Sequence, residues 1–200
     1  MNKKRLFAAG VAAGAGIAGV IVLLLYLINA PARAAAQNLA AINGITVGQT
    51  TEADLLRRPQ FQTVDRNCFG RACAYGMRVD NSFLAHLHLA RHMTLLTIVE
   101  VSDGVVTGVS VLAWIRGRPG ASLRQVTELK DCPASPCMKQ LIPPNHVLAG
   151  TRITFDSQSD IRNHIPEAVD VGCFSRIHGC DRLEEMMPLM REIRSQAAKP

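Results

Sequence analysis

An uncharged apolar run near the N-terminus constrains this chain more than any other feature. It extends over 23 residues, from Leu6 to Ile28, and follows Lys3, Lys4 and Arg5. A helix needs about 20 apolar residues to cross a hydrocarbon core, whereas a cleavable signal usually has about 7 to 15. The run therefore predicts a single-pass membrane anchor. The basic residues before it place the N-terminus in the cytoplasm and the main domain in the periplasm or outside the cell.

Two small-x-small triplets after the run leave cleavage by a signal peptidase as the alternative. They are Ala32-Arg33-Ala34 and Ala34-Ala35-Ala36, and small residues at this spacing are typical of cleavage sites. A chain cut there is secreted without its anchor. Because no cysteine lies near the end of the run, we do not expect a lipid-modified N-terminus.

The positive charge of the chain belongs mainly to this N-terminal segment. The chain has 22 Lys and Arg against 16 Asp and Glu. Residues 1–36 hold four of the basic residues and none of the acidic ones, so the rest has 18 basic and 16 acidic residues, a net charge of +2. We therefore expect no nucleic-acid partner. We predict a signal-anchor in residues 1–30, a helical linker in 31–44 and a single exported domain in 45–200.

All six cysteines lie beyond the apolar run, in three close pairs. An even number of cysteines outside the cytoplasm indicates disulfides, and pairing within each close pair is the simplest of 15 connectivities. Zinc binding and thiol redox chemistry are the alternatives, although the spacings differ from the usual C-x-x-C motifs. The predicted disulfide residues are Cys68 and Cys73, Cys132 and Cys137, and Cys173 and Cys180.

The remaining sequence predicts short helices, an antiparallel sheet and a closing helix. Residues 31–41 precede the helix stop Asn43-Gly44, and Thr50-Thr51 cap a second short helix. Asp103-Gly104, between two β-branched runs, is a strong hairpin signal. The predicted strands are 61–65, 74–79, 95–101, 105–114, 122–129 and 147–155, and the closing helix is 182–195. The fold class is therefore α+β, with an N-terminal transmembrane helix, two short helices, an antiparallel sheet and a C-terminal helix.

The segment HLHLARH at residues 86–92 contains the candidate metal ligands His86, His88 and His92. Residues two apart on a strand point the same way, so two imidazoles would converge there. The alternation with leucine is also that of a half-buried strand with a solvent face. We predict no cofactor, and these histidines are the candidates if a metal binds.

Other motifs give little support to catalysis. The segment 14–19 matches G-x-G-x-x-G, but it lies inside the apolar run with no strand before it. Ser175 and His178 share one cysteine loop but lack the G-x-S-x-G elbow of a hydrolase. We therefore favour a non-catalytic module, with an exported metal- or thiol-dependent enzyme as the alternative.

The tip Phe69-Gly70-Arg71, between Cys68 and Cys73, is the predicted contact loop. A disulfide-held loop that presents an aromatic side chain and an arginine suits a binding hot spot. The same residues also fit a plain hairpin turn. Phe69 and Arg71 are the candidate contact residues for another envelope protein.

The segment ITVGQTTEADLL at residues 45–56 resembles the start of two kinds of exported domain. These are the SmpA-like outer-membrane assembly lipoproteins and the similarly folded β-lactamase inhibitor proteins. The resemblance covers 12 of the 200 residues, and the lipidated cysteine of the lipoproteins is missing. It implies two short helices on an antiparallel sheet, and protein binding without catalysis. The resulting expectation is a membrane-anchored binding or envelope-assembly module, with a secreted inhibitor-like or structural domain as the alternative.

Overall fold

The structure is a computed structural model that describes residues 3–118, 120–126, 152–156 and 169–188. These residues form an α+β fold, as the sequence predicts. The strands are β1 (Asp65–Phe69), β2 (Ala72–Asp80), β3 (Met93–Ser102), β4 (Val105–Ile115), β5 (Ala121–Val126) and β6 (Arg152–Asp156). The helices are α1 (Lys3–Ile42), α2 (Glu52–Leu56), α3 (Ser82–His86) and α4 (Leu183–Met186), with short 3-10 turns at Pro59–Phe61 and Val171–Phe174.

The described strands form one sheet in chain order. Neighbours from β1 to β5 pair antiparallel, whereas β6 runs parallel to β5. Antiparallel neighbours need only a tight turn, but a parallel pair needs a longer crossover connection. The parallel edge is a feature that the sequence analysis does not predict.

Helix α1 joins the apolar run to the folded domain without a break, although Pro31 lies inside it. By length and composition, Gly14–Ile42 is a candidate membrane span. The last turns of the same helix bury Ala35, Leu39 and Ile42 in the core. The helix ends before Gly44, whose φ of +76° favours glycine. The segment predicted as a linker therefore contributes to the core of the domain.

The main core lies between one face of the sheet and the C-terminal part of α1. It includes alternate residues of the central strands together with Leu55 of α2, Phe61 and Phe174. The opposite face holds a smaller buried cluster of Ala74, Leu96, Ile98, Leu112 and Trp114. Because both faces of β3 and β4 are buried, these strands read as nearly continuous apolar runs rather than alternating ones.

The predicted turn and cap signals are confirmed. Asp103 and Gly104 have φ values of +50° and +78°, as the type I′ turn between β3 and β4 requires. Thr51 caps α2, because its hydroxyl oxygen accepts a hydrogen bond from the Asp54 amide at 3.2 Å. The same hydroxyl donates to the Asp54 carboxylate and thereby lowers the pKa of that carboxyl.

Three predicted elements differ from the structure. The strand predicted at 61–65 begins only at Asp65, because Pro59–Phe61 form a 3-10 turn that buries Phe61. The segment 86–92, whose alternation is typical of a strand, is the end of α3 followed by a turn. The closing helix is described as α4 only, and residues 189–195 of the predicted helix lie outside the described residues.

Candidate functional site

The Cys68–Cys73 disulfide closes the hairpin of β1 and β2. The two residues lie directly opposite each other on the antiparallel strands. Cys68 is exposed, whereas Cys73 is buried at the edge of the core. Gly70, with a φ of +61°, and Arg71 form the two-residue turn beyond the disulfide. A local pairing predicted from sequence spacing is thus present.

Phe69 and Arg71 lie at the tip of this hairpin, as predicted for the contact loop. Phe69 is 76% exposed, the highest exposure among the large apolar side chains of the described residues. Arg71 contacts the neighbouring β3–β4 turn through an ion pair with Asp103 at 3.4 Å. Its carbonyl also accepts a hydrogen bond from the Asp103 amide at 3.3 Å. The two hairpin tips therefore form one surface, which we call the paired tips (residues 69–71 and 103–104).

A polar network anchors the base of the paired tips to α2. Glu52 Oε1 accepts a hydrogen bond from Tyr75 and another from Arg66 at 2.9 Å. Burial, followed by the hydrogen bond to Glu52, raises the pKa of Tyr75 to about 12. Arg66 also donates to the sulfur of Cys73 at 3.6 Å. These contacts join α2, β1 and β2, so the hairpin leaves the domain in a defined direction.

The contacts of α1 define two ends of the domain. Arg58 donates to the carbonyl of Ala41, near the end of α1, at 2.8 Å. The Gly48 amide donates to the carbonyl of Val106, at the start of β4, at 2.7 Å. The C-terminus of α1 therefore lies at the end of the sheet that carries the paired tips. Helix α3 and the turn Val171–Phe174 also contact α1.

Helix α3 lies at the opposite end of the sheet, where the Asn81 amide bonds the Met93 carbonyl. Its contacts with α1 must therefore involve earlier residues of that helix, which lie toward the apolar run. We call this the anchor-proximal end, and the end with the paired tips the distal end. The candidate contact residues Phe69 and Arg71 thus point away from the candidate membrane span.

The second described disulfide, Cys173–Cys180, is fully buried. It holds a loop whose N-terminal turn, Val171–Phe174, packs on α1. The third predicted pair, Cys132 and Cys137, lies outside the described residues. The two described disulfides therefore differ in exposure, because one closes a surface hairpin and the other lies in the core.

The three candidate histidines do not lie on one strand. His86 is the last residue of α3 and its Nδ1 bonds the Ser82 carbonyl at 2.7 Å. His88 has a φ of +56°, and His92 lies 3.8 Å from the Asp80 carboxylate. Among the described residues, no group of three His, Cys, Asp or Glu is placed to hold a metal ion. The histidines therefore do not share the face of one strand, because a turn separates them.

The pair Ser175 and His178 is also occupied by backbone contacts. Ser175 donates its hydroxyl to the Gly172 carbonyl at 3.2 Å. His178 has a φ of +76° and pairs with Ala90 through a short parallel bridge. These contacts make the pair part of the loop structure.

The chain matches no protein-family model, and comparisons with curated proteins and with solved structures found no match. The fold and its disulfides nevertheless define a class. The chain is a mixed α+β domain joined to a candidate N-terminal membrane span. Two disulfides within the described residues are compatible with a single-pass membrane protein whose domain lies on an oxidising side.

Proposed function

We propose that this chain is a membrane-anchored extracytoplasmic module that binds another envelope protein or supports an envelope assembly without catalysis. The paired tips carry the proposal. An exposed aromatic and an arginine lie together at the distal end, held by a disulfide, an ion pair and a two-residue turn. A backbone held in this way loses little conformational freedom on binding, which favours affinity.

The packing of α1 favours a retained anchor over a cleaved signal. Ala35 is fully buried, and Ala32 and Ala34 pack against the same core. Cleavage after Ala34 would remove Ala32 and Ala34 from the domain, and cleavage after Ala36 would remove Ala35 as well. Retention keeps them, and the basic residues at positions 3–5 then place the domain in the periplasm or outside the cell.

The geometry gives less support to the enzyme alternative. The described cysteines are paired in disulfides, and the candidate histidines are separated by a turn. The resemblance of residues 45–56 to SmpA-like and β-lactamase-inhibitor domains agrees better with binding. In this chain, the end of α1 and α2 precede an antiparallel sheet, the element order that the resemblance implies.

The binding proposal is tested at the tip of the β1–β2 hairpin. Tagged full-length chain is extracted gently from its own membranes, and the co-purifying protein is quantified for wild type, Phe69→Ala and Arg71→Ala. Hot-spot residues cost about 2 kcal/mol or more on truncation, so we expect partner recovery to fall with an affinity loss of about thirtyfold. Arg57→Ala is the matched control, because Arg57 is an exposed, ion-paired arginine directly after α2.

Unchanged recovery in both tip variants would remove the paired tips as the binding site. The mass of the same extracted chain tests the anchor independently. A full-length mass supports retention, whereas a soluble chain that begins near Ala35 or Gln37 supports the secreted alternative. Bound metal or free thiols in that sample would instead favour the enzyme.

A further inference from the structure

Three large apolar side chains are exposed on two loops at the anchor-proximal end. Leu87, Leu89 and Ile177 are 50%, 38% and 57% exposed. The loops are joined where Ala90 pairs with His178, and the His178 amide donates to the Leu89 carbonyl at 2.6 Å. Parallel pairing at this bridge places Leu89 and Ile177, the residues before the bridged pair, next to each other along the two loops. We call these three residues the apolar ridge.

The loops that carry the apolar ridge are fixed by contacts with the core and with each other. A Cβ on Gly179 would lie 3.1 Å from the Met93 methyl, so the backbone packs tightly there. Arg91 and Asp181 form an ion pair between the two loops at 3.1 Å. The buried Cys173–Cys180 disulfide closes the second loop. The ridge side chains are therefore exposed, but the backbone that carries them is fixed by contacts with the core.

Helix α1 brings the apolar ridge close to the end of the apolar run. The ridge neighbours α3 and the Val171–Phe174 turn, and both of these elements contact α1. Leu27 and Ile28 are the last residues of the apolar run, where it meets the domain, and both are half-buried. From Ile28 to the end of α1 the helix rises only about 21 Å.

Residues at the end of the apolar run are typical of a membrane interface. The Arg33 guanidinium lies 4.4 Å from the centre of the Tyr26 ring and donates to the Tyr26 carbonyl. Tyrosine and arginine are enriched where hydrocarbon meets headgroups, because each has an apolar body and a polar tip. The bilayer surface is therefore expected near Tyr26 and Arg33, beside the anchor-proximal end.

Two arginines at this end complement phosphate headgroups. Arg116 and Arg118 occupy the exposed turn after β4, and the Arg116 amide bonds the His92 carbonyl at 2.8 Å. Neither forms an ion pair with an acidic side chain of the described residues. At a bilayer surface, apolar side chains can enter the acyl chains while neighbouring arginines contact the phosphate headgroups. The apolar ridge and these arginines are suited to such a surface.

We propose that the apolar ridge, with Arg116 and Arg118, rests on the surface of the bilayer that holds α1. The ridge side chains enter the boundary between headgroups and acyl chains, and the arginines contact lipid phosphates. The domain is thereby docked on its own membrane with the paired tips pointing away from it. This inference rests on the proposed anchoring but not on a protein partner.

The test measures lipid access to an indole placed on the ridge. Full-length L89W and I177W are reconstituted in phosphatidylcholine–phosphatidylglycerol vesicles with or without brominated acyl chains. Phe69→Trp, at the distal end, is the matched control. The wild-type chain supplies the background, because its only tryptophan is the buried Trp114. We expect a loss of fluorescence above background in L89W and I177W and none above background in F69W.

Background quenching in both ridge variants, or equal quenching in F69W, would overturn the proposal. Co-flotation of the chain with the vesicles separates this failure from that of the anchor. A chain that floats without ridge quenching keeps its anchor and lacks the ridge contact. A chain that does not float overturns both.

The arginines are tested in the L89W background. We expect quenching to increase with the phosphatidylglycerol fraction, and R116Q/R118Q to abolish this increase. R57Q/R71Q, which removes two exposed charges outside the anchor-proximal end, should retain it. The same dependence in both double variants would overturn the role of Arg116 and Arg118.

Discussion

Tyr75 on β2 donates a hydrogen bond to Glu52, the first residue of α2. The residues are 23 positions apart in the chain. Their contact joins a helix whose start is set by a local cap to a strand whose position is set by the sheet. It lies below the Cys68–Cys73 hairpin, so the stability of the candidate site depends on it.

Removing the Tyr75 hydroxyl is expected to destabilise the domain. Phe in its place keeps the ring in the core and leaves the Glu52 carboxylate with one donor fewer. A hydrogen bond to a charged group contributes about 1.5–3 kcal/mol, so we expect Y75F to lower the free energy of unfolding by roughly 2 kcal/mol. Urea unfolding of the full-length chain in detergent measures this. Y26F, at an exposed tyrosine of α1, is the control and should unfold like wild type.

The same hydrogen bond predicts a dependence on alkaline pH. The pKa of Tyr75 is raised from 10.0 to about 12 by burial and then by Glu52. A raised pKa means that the contribution is fully present below pH 10 and is lost as the pH rises from about 10 to about 12. The stability difference between wild type and Y75F should therefore shrink in that interval.

In Y26F, which retains Tyr75 as its single tyrosine, tyrosinate absorbance should appear with a midpoint near pH 12. A midpoint near 10 would contradict this prediction.

The two described disulfides should differ in their response to reductant. Cys68 is exposed, whereas both Cys173 and Cys180 are fully buried. Thiol–disulfide exchange requires access of a thiolate to a sulfur atom, so Cys68–Cys73 should be reduced first in the native state. Alkylation during a timed dithiothreitol reaction, followed by peptide mass analysis, gives the order. Once the chain is unfolded in urea, this order should disappear. Earlier reduction of Cys173–Cys180 in the native state would show that the loop opens more readily than the hairpin.

Gly104 should tolerate asparagine better than alanine. Its φ of +78° lies in the left-handed region, which costs a residue with a side chain about 1–2 kcal/mol. No heavy atom lies within 4 Å of a Cβ built there, so the expected cost is conformational. We expect G104A to lose about 1 kcal/mol or more in thermal or urea unfolding and G104N to lose less, because asparagine visits this region readily. Equal losses would point to an effect other than backbone conformation.

The C-terminal part of α1 should behave as part of the domain. Leu39 is 3% exposed within the main core. Truncating a buried leucine typically costs about 2–5 kcal/mol, so L39A should lower the free energy of unfolding by that amount. Gln37→Ala, two residues away on the exposed side of the helix, is the control and should have little effect. If L39A were also neutral, the segment 31–44 would be a linker, as the sequence analysis predicts.

Features set by local chemistry were predictable from the sequence. The length and composition of the apolar run predict the long N-terminal helix. The Asp103-Gly104 turn, the Thr51 cap and the helix stop at Gly44 each depend on one or two backbone conformations. Each of the two described disulfides pairs a cysteine with its nearest neighbour in the sequence. For the candidate site, the spacing of Cys68 and Cys73 was enough to place Phe69 and Arg71 at a hairpin tip, and their role in binding stays a prediction.

Contacts between distant parts of the chain were decided by the tertiary structure alone. The segment 86–92 alternates like a strand, but the strand that pairs with β2 is β3, which begins only at Met93. The bond between Tyr75 and Glu52 and the pairing of Leu89 beside Ile177 leave no local signal. These residues become neighbours because the order of the strands and the packing of the loops bring them together. By itself the sequence determined what short segments form, whereas the three-dimensional packing decided which of them became neighbours, since burial and long-range pairing are properties of the whole fold.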